Sequence, residues 1–136
     1  MSLFKIFDLT ASAMNAQSVR LNTIASNLAN AESVSGTEEG AYKAKMPVFQ
    51  ALVDKFSEGK PTSVQVTGIV ESQDPAKMLY EPNHPLANQD GNVFMSNVNS
   101  MNEMANMMSA SRSYQMNVEV ANTSRQLLLQ TLRLGQ

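Results

Sequence analysis

Long stretches at both ends of this chain contain neither proline nor internal glycine, and this feature most constrains its fold. All five Pro and five of the six Gly of the 136 residues lie between 35 and 97. Proline breaks a helix interior and glycine weakens one. Long helices are therefore expected at 1–34 and at 98–136, where Gly135 is placed as a C-terminal cap.

Apolar or small residues recur at alternating spacings of four and three in both ends, which is the seam of a coiled coil. The first seam contains Leu3, Phe7, Thr10, Met14, Gln17, Leu21, Ile24, Leu28 and Ala31. The second contains Met104, Met107, Ser111, Tyr114, Val118, Ala121, Arg125, Leu128 and Leu132, and it is widened by Met101, Met108, Met116 and Leu129. The sequence predicts that the two terminal helices pair as a coiled coil.

The middle region, 35–97, has short β signals between turns. Thr62–Val70 alternates β-branched with other residues and predicts a strand. Tyr42–Phe49 is a second candidate, although proline at 47 restricts it to a sheet edge or ends it. Weaker strand candidates and turns follow at Met78–Tyr80, 81–85, 88–91 and Val93–Met95. The predicted fold is mainly α with a small β part, in which a β-hairpin or extended middle region separates the helices.

Charge is scarce in the predicted helices. The two ends hold nine charged residues in 73 positions, against 13 in the 63 positions of the middle. Their outer faces carry Asn, Gln, Ser, Thr and Ala, which tolerate burial better than unpaired charges do. A chain of this length cannot surround two such helices, so other chains are expected to cover them. The alternative is an ordinary helical hairpin whose Asn and Ser reflect genome composition.

The composition also argues against several function classes. A net charge of −2 offers no field for nucleic acid, and the absence of Cys excludes thiolate chemistry. The one histidine, His84, lies in a turn without a catalytic or metal-binding motif. We therefore expect no catalytic, cofactor or metal site and no enzyme. Asp8 interrupts the apolar start, so we expect no cleavable signal peptide. Lys and Arg do not line a face opposite the apolar residues of Leu3–Phe7, so we expect no direct membrane insertion.

Specific strings point to a family. The string LNTIASNLANA at 21–31 resembles the N-terminal signature of the bacterial flagellar rod and hook family. The strings YKAKMPVF at 42–49, YEPNHP at 80–85 and SRSYQMNVEV at 111–120 resemble the proximal rod subunits of that family. The likeness covers nearly the whole chain. Two departures are a longer, more acidic loop at 32–41 and Asn92 in place of a frequent aromatic.

The resemblance implies a structural subunit of the proximal rod of the flagellar basal body. Its terminal helices would form a coiled-coil layer around the export channel, and the tube would transmit torque. The implied partners are other copies of the chain, other rod proteins, the inner-membrane ring and the flagellar type III export apparatus. Export without cleavage would place the subunit in the periplasmic rod. Alternatives are a subunit of another type III rod or needle, or a self-contained helical oligomeric adaptor.

Candidate interface residues come from the two seams and from this resemblance. The expected assembly interface comprises Leu21, Ile24, Asn27, Leu28, Asn30, Met104, Met108, Tyr114, Val118, Leu128 and Leu132. We expect Asn27 to hydrogen-bond between helices and Asn30 to lie near a helix end. Phe4 and Phe7 are candidates for export recognition, with packing in the rod as the alternative. Residues 1–30 and 100–134 are expected to be poorly ordered until assembly.

Overall fold

The structure, a computed structural model, describes residues 3–53 and 61–134, and the side chains of 5–53 and 63–133. Its elements in chain order are α1 (Leu3–Ala29), β1 (Val34–Ser35), β2 (Lys45–Val53), β3 (Pro61–Glu71), β4 (Lys77–Tyr80), β5 (Asn92–Met95) and α2 (Ser100–Leu134). The predicted fold class is confirmed, since two long helices flank a small β part. Strands lie at all four predicted places, and β1 is an addition.

Helix α1 ends where its last carbonyls find alternative partners. The Asn30 amide N–H lies 3.2 Å from the carbonyl oxygens of both Ser26 and Asn27. The Asn30 side chain donates from Nδ2 to the Ser26 carbonyl at 2.8 Å. Ser33 Oγ then donates to the Asn30 carbonyl at 2.8 Å. Side-chain bonds of this kind satisfy the terminal carbonyls that a helix leaves free. Asn30 thus lies at the helix end, as expected.

Helix α2 begins with an asparagine cap. Asn99 Oδ1 accepts hydrogen bonds from the backbone N–H groups of Met101 at 3.1 Å and Asn102 at 3.2 Å. Glu103 lies in the first turn of α2. The positive end of the helix dipole stabilises a carboxylate at this position. The start of α2 is therefore fixed by local chemistry.

Two sheets form the β part. A three-stranded sheet has the order β1-β5-β4, and both pairs are antiparallel. The register places Val34 opposite Met95 and Met78 opposite Phe94. Val93 and Ser96 are fully buried in or beside the central strand β5. The second sheet has two strands, β2 and β3, and Thr67 Oγ1 donates to the Val48 carbonyl at 3.1 Å.

The described chain separates into two compact units. The first combines Met1–Leu21, Pro47–Gly68 and Met108–Gln136. Within it, the Val64 backbone N–H donates to Ser12 Oγ of α1 at 3.1 Å. The second unit combines Asn22–Met46 and Ile69–Met107, and it contains the three-stranded sheet.

Small side chains occupy several of the buried positions of both helices. In α1, Ala16 is 3% exposed and lies one position before the predicted seam residue Gln17. In α2, Ala110 and Ser124 are 0% and 7% exposed, one position before the seam residues Ser111 and Arg125. The predicted seam residues Thr10 and Ile24 are themselves buried, at 6% and 4%, so the buried line is displaced toward smaller residues only at some positions. Small side chains at these positions let the neighbouring backbone approach the helix closely.

Candidate assembly interface

Asn27, near the end of α1, is 1% exposed and uses both ends of its amide. Its Nδ2 donates to the Lys45 carbonyl at 2.8 Å and to Glu103 Oε2 at 2.9 Å. Its Oδ1 accepts from the Lys45 backbone N–H at 2.9 Å and from the Tyr42 hydroxyl at 3.1 Å. Asn27 thereby connects α1 with the start of β2 and with the first turn of α2. The bond to Glu103 is the interhelical hydrogen bond expected of Asn27.

The partners of Asn27 are themselves oriented by further bonds. The Tyr42 hydroxyl lies 3.2 Å from Ser26 Oγ, and the Lys45 ammonium lies 5.6 Å from the Tyr42 ring centroid. Glu103 Oε1 accepts from Asn106 Nδ2 at 3.3 Å, one turn further along α2. Such a connected set restricts each side chain to one geometry.

A second asparagine fixes the residue before Lys45. The Ala44 N–H donates to Asn97 Oδ1 at 2.7 Å, and the Ala44 carbonyl accepts from the Ser72 N–H at 2.7 Å. Asn97 Nδ2 also donates to the Asp74 carbonyl at 2.9 Å. All four backbone polar groups of Ala44 and Lys45 are thus paired, which anchors the chain where β2 begins.

The outer side of α2 carries exposed apolar residues among exposed polar and charged ones such as Arg112 and Glu119. Met108 is 67% exposed, whereas Ala110 is fully buried two residues later. Two residues turn an α-helix by about 200°, so these side chains lie on opposite sides. Large apolar residues of α2 that are about half exposed or more are Met101, Met104, Met108, Met116, Val120, Leu127, Leu129 and Leu132. Exposed apolar surface on this scale is typical of a protein interaction site.

The strands expose further apolar residues. In β2 and β3 these are Met46, Val48, Phe49, Leu52, Val53, Ile69 and Val70. In β4, Met78 is 66% and Tyr80 68% exposed. A two-stranded sheet is rarely stable with both faces in water, so these exposed residues are candidates for contact with other chains.

The predicted interface residues occupy three kinds of environment. Met104, Met108 and Leu132 are exposed, at 52%, 67% and 61%. Ile24 and Asn27 are buried within the chain. Half-buried positions are Leu21, Leu28, Asn30, Tyr114, Val118 and Leu128. The export candidate Phe7 is also half-buried. The side chain of Phe4 lies outside the described ones. The exposed members are the most accessible to direct contact, and the role of the set in assembly stays a prediction.

Sequence reasoning missed Tyr42, Glu103 and Asn97 as organising residues. Glu103 had a usable signal, because it is one of only five charges in 98–136 and lies beside a predicted helix start. Tyr42 and Asn97 had none, since their partners are Asn27 Oδ1 and the Ala44 backbone, which are distant in sequence.

The structure gives His84 a local role. Its Nδ1 accepts a hydrogen bond from the Leu86 N–H at 3.1 Å within the turn after β4. Among the described residues, no three His, Cys, Asp or Glu side chains come together in a way that would hold a metal ion. In the same part of the chain, no helix has both the length and the apolar character needed to span a bilayer.

Comparison with known proteins agrees with this geometry. Residues 7–36 match the family described as flagella basal body rod protein. Residues 89–134 match the family described as flagellar basal body rod FlgEFG protein C-terminal. These two segments contain most of α1 and all of α2.

Curated relatives match from end to end. The flagellar basal-body rod protein FlgC of Salmonella typhimurium is 52% identical over 136 residues, covering all of both chains. The FlgC proteins of Yersinia enterocolitica and of Buchnera aphidicola subsp. Baizongia pistaciae are 48% and 37% identical, again over both full lengths. The chain belongs to the FlgC family of flagellar basal-body rod proteins.

Proposed function

We propose that this chain is a structural subunit of the proximal rod of the flagellar basal body. The observation that carries the proposal is the outer face of α2, where Met108 is 67% exposed opposite the fully buried Ala110. A helix that its own chain covers on one side only, with methionine and leucine on the other, is suited to packing against neighbouring subunits. Full-length identity of 52% to a basal-body rod protein supports the same role.

Polymerisation would proceed through subunit contacts that do not close into a ring. A surface on one subunit meets a different surface on the next, and such heterologous contacts generate an open helical tube. The outer face of α2 is one such surface, and the exposed sides of β2 and β3 provide another. The tube would surround the export channel, transmit torque, and contact other rod proteins and the inner-membrane ring.

The Asn27 network would give each subunit a defined geometry within that tube. Asn27 joins α1, the start of β2 and the first turn of α2 through bonds of 2.8–3.1 Å. A shaft under torque requires subunits that do not shear internally. Ile24 and Asn27 would therefore act in assembly indirectly, by fixing the shape that presents the exposed residues.

Export of the subunit would use the flagellar type III apparatus without cleavage of a signal. Phe4 and Phe7 are the candidate recognition residues, and Phe7 is half-buried in α1. Secretion of a Phe4→Ala, Phe7→Ala chain distinguishes recognition from packing. Reduced secretion supports recognition, whereas normal secretion with failed rod assembly assigns both residues to packing.

Complementation of a deletion strain tests the proposed function. A Met104→Glu, Met108→Glu chain should be exported but leave basal bodies arrested before the distal rod, because buried unpaired carboxylates would oppose assembly. A Met104→Leu, Met108→Leu chain is the matched control and should restore motility. Motility with the glutamate chain would contradict the proposal.

A further inference from the structure

Strand β4 forms one edge of the three-stranded sheet, and its outer side presents backbone hydrogen-bonding groups. The Glu81 N–H donates to the Gly91 carbonyl at 2.9 Å, directly beyond the pairing of β4 with β5. In an antiparallel pair, residues that bond across the pair alternate with residues whose N–H and C=O point away from it. By this alternation Leu79 bonds to β5. Met78 and Tyr80 direct their backbone groups to the side that no other described strand occupies.

This edge lacks the usual protection against further pairing. Natural edge strands commonly carry lysine or other charges that deter the addition of another strand. Met78 and Tyr80, on one face of β4, are 66% and 68% exposed, and Leu79 on the other face is 42% exposed. The lysine of this strand, Lys77, donates its ammonium to the Val98 carbonyl at 2.9 Å. Its charge is therefore held beside the start of α2 and does not guard the edge.

We propose that strand β2 of a second copy adds to the outer edge of β4 in the assembled rod. The inference rests on the proposed function and names one contact between copies. In strand addition, main-chain hydrogen bonds supply affinity and alternate side chains supply specificity. Because β4 and β2 are different surfaces, the contact is heterologous and can repeat from subunit to subunit.

Within the two-stranded sheet, β2 is the strand with the available outer side. In β3 the Val64 N–H is already bonded to Ser12 Oγ of α1 at 3.1 Å. In β2 both backbone groups of Lys45 bond to the Asn27 side chain, so that side of the strand is the outer one. Residues at steps of two share its direction, and proline at 47 has no N–H. The edge that can accept another strand therefore begins at Phe49.

Charge favours β2 over β1, which is the other edge strand of the three-stranded sheet. Exposed carboxylates lie on both sides of β4, at Asp74 before it and Glu81 after it. Residues 43–55, which contain β2, include three lysines and one aspartate. Residues 32–39, which contain β1, include three glutamates and neither Lys nor Arg. Opposite charges favour association and like charges oppose it, so the second copy presents β2 to this edge.

The first test removes one outward donor of β4 and measures completed rods in a strain whose own gene is deleted. Met78→Pro lacks an N–H that β5 does not use, whereas the control Met78→Val keeps it. Met78→Pro should reduce completed rods by at least about fivefold, because a buried carbonyl of the added strand loses its donor. Met78→Val should restore rods. Rods at the wild-type level with Met78→Pro would overturn the inference.

Stability of the purified chains shows that the proline acts on assembly. Met78→Pro should unfold at nearly the wild-type urea concentration, whereas Leu79→Pro, which loses a bond to β5, should unfold at a clearly lower one. Equal destabilisation by the two prolines would contradict the assigned direction of the Met78 backbone groups, on which the proposal depends.

The second test detects the contact directly and needs no proline variant. A Met78→Cys chain is expressed together with a Phe49→Cys, Ala51→Cys or Val53→Cys chain, and isolated basal bodies are mildly oxidised. Each chain has one thiol, so a mixed disulfide joins two copies, and it requires Cα atoms about 4.4–6.8 Å apart. At least one β2 thiol should give several times the yield of the Val34→Cys control in β1. No mixed disulfide with β2, or a higher yield with Val34→Cys, would overturn the inference.

The outcomes separate the added strand from the proposed function. Complete rods that contain no mixed disulfide between β4 and β2 would overturn the added strand and leave the structural role intact. Failure of the wild-type chain to restore rods in the deletion strain would overturn the proposed function and the inference together.

Discussion

Asn27 pairs with the backbone of Lys45 much as a neighbouring strand would. Its Oδ1 accepts from the Lys45 N–H at 2.9 Å, and its Nδ2 donates to the Lys45 carbonyl at 2.8 Å. A helix side chain thereby supplies the hydrogen bonds that the first residue of β2 would otherwise lack. Because Asn27 is only 1% exposed, water cannot replace them.

Substitution of Asn27 should be costly. Asn27→Leu keeps the approximate side-chain volume but leaves both backbone groups of Lys45 and a Glu103 oxygen without that partner. We expect the free energy of unfolding to fall by about 2–4 kcal/mol, measured by urea denaturation. Asn30→Ala is the control, since it removes a single side-chain bond to the Ser26 carbonyl and should cost about 1 kcal/mol or less. Equal losses in the two variants would refute the assigned role.

Position 91 should not tolerate a residue with a side chain. Its φ of 77° lies in the left-handed region, and an added Cβ would come within 2.9 Å of the Tyr80 ring and 3.1 Å of Pro82. Gly91→Ala should therefore lower the unfolding free energy by about 1–3 kcal/mol. At Gly68 a Cβ would meet nothing within 4 Å. Gly68→Ala should change stability by about 0.5 kcal/mol or less, and the urea midpoints compare the two.

Ala110 marks the close-packed side of α2. It is fully buried, so Ala110→Leu must displace neighbouring atoms and should destabilise the chain by about 1–3 kcal/mol. Ser109 is exposed, and Ser109→Leu on the adjacent position should be nearly neutral. Thermal or urea unfolding of both variants checks this. If Ala110→Leu proves as stable as Ser109→Leu, the buried line of α2 has been misplaced.

The sequence predicted the helices and strands well because their signals are local. Absence of proline defines α1 and α2, and alternation with β-branched residues defines β3. Strand β1 was missed because it has only two residues and exists through its pairing with β5. A segment of two residues carries no sequence pattern that indicates which strand it pairs with.

The site was predicted less completely. Asn27 was identified, but its partners Lys45 and Glu103 are 18 and 76 residues away. The predicted seam holds at Thr10 and Ile24, which are buried, but elsewhere it lies one position away from the buried residues because the prediction favoured large side chains. In the structure the chain packs through Ala16, Ala110 and Ser124 instead. Large residues such as Met108 lie on the exposed side of α2. Periodicity in one sequence marks apolar residues, but it does not show whether their own chain or another chain covers them.

Order in the isolated subunit should differ along the helices. The expectation that both ends are poorly ordered before assembly stays a prediction, and the structure sharpens it. Backbone amides of 22–29 lie beside the Asn27 network, whereas Leu127, Leu129 and Leu132 of α2 are 46–61% exposed. We expect hydrogen exchange on dilute monomer to be at least about tenfold slower at 22–29 than at 127–133. Strong protection throughout both helices would contradict disorder before assembly.

Solvent access at position 108 tests most directly whether other chains cover the outer face of α2. The chain has no Cys, so Met108→Cys introduces a single thiol, and Glu38→Cys in the exposed loop after β1 provides the control. Maleimide labelling should be rapid for both thiols in the free subunit. In isolated basal bodies, labelling at position 108 should slow by at least about tenfold relative to the control, as burial in an interface requires. Equal labelling of the thiol at 108 in free and assembled subunits would contradict the account.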